Sequence, residues 1–125
     1  MSLLLDTHVL LWWLNGSREL SRKAVELISD PEHAVFVSAV SVWEIRIKEA
    51  LGKIALPRNF LEALREEGFE PLAVTWDHAE AVSGLPKLHG DPIDRMLLAQ
   101  AQREGLTLVT RDRALERYGV EVEIV

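Results

Sequence analysis

The sequence predicts an α/β domain, a parallel sheet covered by helices, and three observations predict it. Short apolar runs of about four to six residues alternate with helix-length segments along the whole chain. The runs are continuously apolar rather than alternating, as strands buried on both faces require. Helix caps, prolines and glycines punctuate the spaces between them.

Leu3-Leu4-Leu5 is the first strand, and residues 8–14 form a helix that stops near Asn15-Gly16. Ser21 caps a second helix that ends before Asp30-Pro31, and Ala34 to Val37 is the second strand. Ser41 is the expected cap of a third helix, with Trp43, Ile47, Ala50, Leu51 and Ile54 on one apolar stripe and Gly52 at its end. Pro57 opens a fourth helix, whose apolar side is Phe60, Leu61 and Leu64 and whose stop is Gly68. Leu72 to Thr75 is the third strand. Asp77 caps a short helix broken by Gly84 and Pro86. Asp91-Pro92 pairs a capping acid with proline at the first helical position, a strong start signal. That helix runs to Glu104, with Gly105 at its end. Leu106 to Val109 is the fourth strand, and Glu121 to Val125 a fifth at the sheet edge.

The 125 residues suit a single domain spanning 1–125. The absence of cysteine excludes a disulfide scaffold, a zinc-thiolate site, an iron–sulfur cluster and a cysteine nucleophile, and it fits a reducing cytoplasm. No apolar run approaches the ~20 residues of a membrane span. The N-terminus has no basic region ahead of an apolar stretch, so no signal peptide is expected. Net charge is −6, with most of the excess beyond residue 62, where twelve acids face seven bases. This is not the basic footprint of a duplex-binding module.

The position of the acids matters more than their number. Ligands of open parallel sheets bind at the carboxyl ends of the strands. Asp6 directly follows strand one, and Asp112 follows strand four. Glu44 lies in the first turn after strand two. Asp94 opens the helix that descends to feed strand four, so it also starts at the carboxyl edge. Four acids from four segments thus share one edge, with Asp91 one turn before Asp94. Each also has a structural use. Asp6, Asp91 and Asp112 suit caps or turns, Glu44 pairs with Lys48 at i,i+4, and Asp94 complements a helix dipole. Taken together, those uses favour no particular edge, whereas a metal site does. Two carboxylates ~5 Å apart repel by about 3 kcal/mol at an effective dielectric near 20, so four of them raise one another's pKa or recruit a cation. An all-oxygen donor set suits Mg²⁺ or Mn²⁺, ions that clamp phosphate oxygens and activate water. Arg46, Lys48, Arg95, Arg111 and Arg113 flank the acids, as candidates to hold a nucleic-acid backbone. Thr7 and Thr110 are candidates to position a water or a ligand carboxylate. His8, His33, His78 and His89 are scattered without metal-ligand spacing.

These segments resemble the motifs of the PIN-domain ribonucleases, in particular the VapC-type toxins of prokaryotic toxin–antitoxin pairs. Leu3-Leu-Leu-Asp6-Thr7-His8 is similar to the family's opening motif, and Ser38-Ala-Val-Ser41-Val-Trp43-Glu44 to its second. His89-Gly-Asp91-Pro92-Ile-Asp94-Arg95 is similar to the third and Leu108-Val-Thr110-Arg111-Asp112 to the fourth. Each is weak alone; four in order at these spacings cover essentially the whole chain. The resemblance implies a three-layer α/β/α sandwich with a central, mostly parallel sheet of four to five strands. It implies an endoribonuclease dependent on Mg²⁺ or Mn²⁺, with Asp6, Glu44, Asp94 and Asp112 as the acidic quartet and Asp91 as an outer ligand. It also implies a homodimer, and a small antitoxin whose C-terminal segment lies across the active-site groove. Other readings fit less well. A haloacid-dehalogenase-like phosphatase wants a second aspartate at position 8, which is His8. A phospho-acceptor receiver wants an acid beside Asp6 and a lysine near Arg111. A catalytically silent PIN-fold interaction module would have no need of four intact acids.

Overall fold

The computed structural model describes residues 1–88 and 90–125. The chain runs β1 (Ser2–Leu5), α1 (Thr7–Leu14), α2 (Arg22–Ser29), β2 (Ala34–Ser38), α3 (Ala39–Ala50), α4 (Phe60–Glu66), β3 (Glu70–Leu72), α5 (Trp76–Ser83), α6 (Pro92–Glu104), β4 (Thr107–Thr110), a 3₁₀ segment (Arg113–Tyr118) and β5 (Val122–Ile124). The five strands form one sheet in the order β3-β2-β1-β4-β5, and every pairing is parallel. The hydrophobic run Leu3-Leu4-Leu5 sits at the centre, with Leu4 opposite Phe36 on one side and Leu108 on the other.

Alternation along β1 builds two cores. Leu3 and Leu5 pack with Val35, Val37 and Val109 under Val9, Leu10, Ile28, Ile45, Phe60 and Leu64, so α1, α2 and α4 cover one face. Leu4 and Leu108 pack with Leu97, Leu98 and Leu115, with Ala81 and Val82 against them, so α5, α6 and the 3₁₀ segment cover the other. Helix α3 reaches both, giving Ile45 to the first core and Val40 to the second. Helices on both faces of a parallel sheet are the three layers expected. No helix among the described residues is long and apolar enough to cross a membrane.

Several local expectations shift. Ser38, not Ser41, caps α3, since β2 passes into the helix without a loop and its hydroxyl accepts from Val40 N–H. Most of the predicted α3 stripe faces outward: Trp43, Ile47 and Leu51 are exposed and Ile54 packs against the first core, while Val40, Ser41 and Ile45 meet the layers beneath. Helix α4 begins at Phe60 rather than Pro57. Strand β3 is Glu70–Leu72 rather than Leu72 to Thr75, because Thr75 is committed to a capping box with His78, which displaces Asp77 as the cap of α5. Asp91 and Pro92 start α6, and Gly105 ends it in the left-handed conformation at φ +67°. His89 lies outside the described residues.

Candidate active site

The carboxyl edge of the sheet is where β1, β2 and β4 release the chain and where α6 begins. Asp6 sits on this edge, buried at the end of the central strand. It caps α1: Oδ1 accepts from Val9 N–H at 2.9 Å. Oδ2 accepts the hydroxyl of buried Thr110, across from it at the end of β4, at 2.5 Å. Burial pushes the Asp6 carboxyl above the ordinary 3.8, against the opposing pull of the Thr110 and Val9 bonds and of nearby His8. Thr110 Oγ1 also accepts from Asp112 N–H at 3.1 Å, so one hydroxyl joins two of the expected acids.

Thr7 does not point at solvent. Its hydroxyl is buried and donates to Ser41 Oγ, in the first turn of α3, at 3.1 Å. Glu44, one turn further along α3, is half-buried, and its Oε2 lies 3.8 Å from Lys48 Nζ. Asp91 Oδ1 accepts from Ile93 N–H at 2.9 Å and from Asp94 N–H at 3.3 Å, the cap expected of it. Asp94 stands half-buried in the first turn of α6. Exposed Asp112 caps the 3₁₀ segment through Oδ1 to Ala114 N–H at 3.0 Å.

All four segments therefore reach the expected edge. Their side chains do not close on one point: among the described residues, no three His, Asp or Glu side chains stand as a metal-holding group. The donor chemistry nonetheless suits a hard divalent cation. Every candidate ligand is a carboxylate oxygen. Asp6 is a desolvated carboxylate served by one amide and one hydroxyl, and a nearby cation would reverse the penalty that raises its pKa.

The basic candidates divide. Arg95 closes the turn after α5, donating to Pro86 O at 2.8 Å and Val82 O at 3.1 Å. Arg111 pairs with Glu19 at 2.9 Å and lies 4.4 Å above the Trp12 ring, tying the β4 exit to α1. Arg46 pairs with Glu49 and covers Phe60. Arg113 has an exposed contact with Glu116 at 3.6 Å, and Lys48 has its loose pair with Glu44. Trp12 and Trp13 both pack against the first core. The sequence reading missed Ser41 as a partner of Thr7, and its only visible signal pointed elsewhere. Ser41-x-x-Glu44 matches a capping box, yet the helix begins earlier.

A family model for the PIN domain matches residues 3–121. The chain belongs to the PIN domain family. It is 33% identical over 126 residues, covering 94% of this chain and 92% of the other, to ribonuclease VapC22 of Mycobacterium tuberculosis (strain ATCC 25618 / H37Rv). Among solved structures, this PIN domain superposes on VapBC2 from Rickettsia felis bound to a DNA fragment from their promoter. The TM-score is 0.75 at 16% identity, covering 99% of this chain and 98% of that one. It also superposes on DNA-bound VapBC from Salmonella typhimurium, with TM-score 0.68, 19% identity, and 99% and 98% coverage. Those two likenesses establish the PIN fold. The family excludes the phosphatase and receiver readings.

Proposed function

We propose that this PIN domain is a metal-dependent endoribonuclease and the toxin of a type II toxin–antitoxin pair. The observation that carries the reading is Asp6: a buried carboxylate at the carboxyl edge of the central strand, linked through Thr110 to the segment bearing Asp112, in a chain related to a ribonuclease. Asp6, Glu44, Asp94 and Asp112 would hold Mg²⁺ or Mn²⁺, with Asp91 as an outer ligand. When bound, such an ion supplies charge neutralisation at the phosphate oxygens and an activated water for in-line displacement.

The chain's own residues do the rest. Thr110 orients Asp6 by donating to Oδ2, and Val9 N–H fixes the other side of the carboxylate through Oδ1. Lys48 and Arg113, whose ion pairs are long, are the cations best able to exchange them for RNA phosphates. Arg95 and Arg111 instead shape the α5–α6 turn and the β4 exit. The proposed partners are a small antitoxin, as in the VapBC complexes of similar fold, and a second copy of this chain. The proposed compartment is the cytoplasm.

The test is cleavage of a panel of structured and single-stranded RNAs with Mg²⁺, Mn²⁺ or EDTA, beside Asp6→Asn. Metal-dependent cleavage lost in the variant supports the reading. Cleavage indifferent to both EDTA and the substitution overturns it.

A further inference from the structure

We infer that Ser41 is a positioning residue, whose hydrogen bond with Thr7 holds the helix bearing Glu44 in register with the strand end bearing Asp6. The inference rests on the proposed reading of those two acids as metal ligands. Ser41 is fully buried in the first turn of α3, and Ser38 already does the capping. As packing alone, alanine would serve better there: it is the stronger helix former and buries no hydroxyl. The bond its hydroxyl makes among the described residues is with Thr7 Oγ1, at 3.1 Å and 34 residues away in sequence.

Its two ends fall at informative places. Thr7 directly follows Asp6. Ser41 precedes Glu44 by three residues, about 4.5 Å along the helix axis and on the same side of it. Elsewhere Val9 and Leu10 of α1 share an apolar cluster with Ile45 of α3. Apolar contact is non-directional and tolerates small slides. A buried hydroxyl pair has a directional optimum and specifies one arrangement. The β1–β2 register and the direct passage of β2 into α3 bring Asp6 and Glu44 to the same edge, and this bond, which neither acid makes, adds a directional constraint between the two segments. Groups that hydrogen-bond metal ligands directly govern metal affinity by about tenfold to a hundredfold, and Ser41 acts one step behind them, at the low end of that range.

Mn²⁺ alone is the probe, titrated calorimetrically into the purified chain, with urea midpoints measured on the same samples. The variants are Ser41→Ala, the double variant Thr7→Val with Ser41→Ala, and Asp6→Asn as a control on the site itself. The expected result is an Mn²⁺ Kd about tenfold weaker in Ser41→Ala. In the double variant, which leaves no buried hydroxyl unpaired, the urea midpoint recovers toward wild type while the Kd stays weakened. A merely structural role predicts that the Kd recovers with the midpoint. That recovery, or an Mn²⁺ Kd in Ser41→Ala within about twofold of wild type, overturns the inference and leaves the site reading standing. Undiminished Mn²⁺ binding by Asp6→Asn overturns the site reading and this inference with it.

Discussion

Replacing Thr110 with valine isolates the link between the two central strands at the candidate site. Valine keeps the β-branched shape that a buried strand end prefers and exchanges one hydroxyl for a methyl. Two hydrogen bonds go with that hydroxyl: the donation to Asp6 Oδ2 at 2.5 Å and the acceptance from Asp112 N–H at 3.1 Å. A bond to a charged group contributes about 1.5–3 kcal/mol and a neutral one about 0.5–1.5 kcal/mol, so the expected loss is about 2–4.5 kcal/mol. Unfolding entropy of about 2.1 cal/mol/K per residue converts that to a fall in Tm of about 8–17 °C for a chain of 125 residues. The pH dependence has a definite sign. The Thr110 bond pulls the Asp6 carboxyl down against burial, so its loss moves that carboxyl further up. The deficit is therefore largest with Asp6 ionised and narrows as pH falls through its titration. Differential scanning calorimetry in EDTA at several pH values, with carbon-13 titration of the Asp6 carboxyl, reads both effects. Thr110→Ser keeps the hydroxyl and stays close to wild type. A Tm for Thr110→Val within about 2 °C of wild type and an unmoved carboxyl would refute the assignment of Thr110 as the partner of an ionised Asp6.

Asp6→Asn separates stability from activity. Because burial raises the Asp6 pKa above 3.8, the folded chain holds that proton more tightly than the unfolded one. The stability so contributed is complete below 3.8 and is lost as pH rises through the elevated value. In EDTA at pH 7 the neutral asparagine should make the chain more stable than wild type, converging with it in acid; a wild type that melts higher at pH 7 would contradict this. Leu98→Ala opens a cavity beside Leu4 and Leu108 and should cost about 2–5 kcal/mol in urea unfolding; a change under about 1 kcal/mol would contradict the placement of that core. Asp112→Asn retains an Oδ1 for the Ala114 amide and should leave Tm nearly unchanged while weakening Mn²⁺ binding; an equal loss of both would make Asp112 a cap alone.

The placement of the acids was legible because short-range signals govern it. Asp91-Pro92 and Gly105 delimit α6 by backbone chemistry alone, which puts Asp94 at the carboxyl edge once the sheet is parallel. Asp6 is similarly pinned by the apolar run before it. What the sequence concealed depends on contacts between distant segments. Trp43, Ile47 and Leu51 make a persuasive core stripe, yet α3 meets the layers through Val40, Ser41 and Ile45, with a serine among them. The Thr7–Ser41 bond spans 34 residues, and neither partner announces it. The start of strand β3 was placed too late because Glu70-Pro71 reads as turn chemistry, although proline is tolerated at a sheet edge, which is where the strand order puts it. Adjacency in sequence also says nothing of a basic residue's structural partners: Arg95 gives its guanidinium to two carbonyls.

The capping and ligand roles of these acids look like rivals, but the geometry makes them compatible. At the carboxyl edge of a parallel sheet, a chain leaving a strand into a helix exposes orphan amides at that helix's start. A short acidic side chain satisfies them with one oxygen. Asp91 uses Oδ1 for both amides it caps, and Asp112 uses Oδ1 for Ala114. Capping thus immobilises a carboxylate while committing half of it, which is preorganisation of the kind a ligand needs. Asp6 is the exception that orders the rest. Both of its oxygens are engaged, one by its own helix and one by the neighbouring strand, so it is the most constrained carboxylate of the set and the most desolvated. At Asp6, Asp91 and Asp112 the bonds that start a helix therefore also fix where a negative charge points, whereas Glu44 and Asp94 lie inside helices that Ser38 and Asp91 begin.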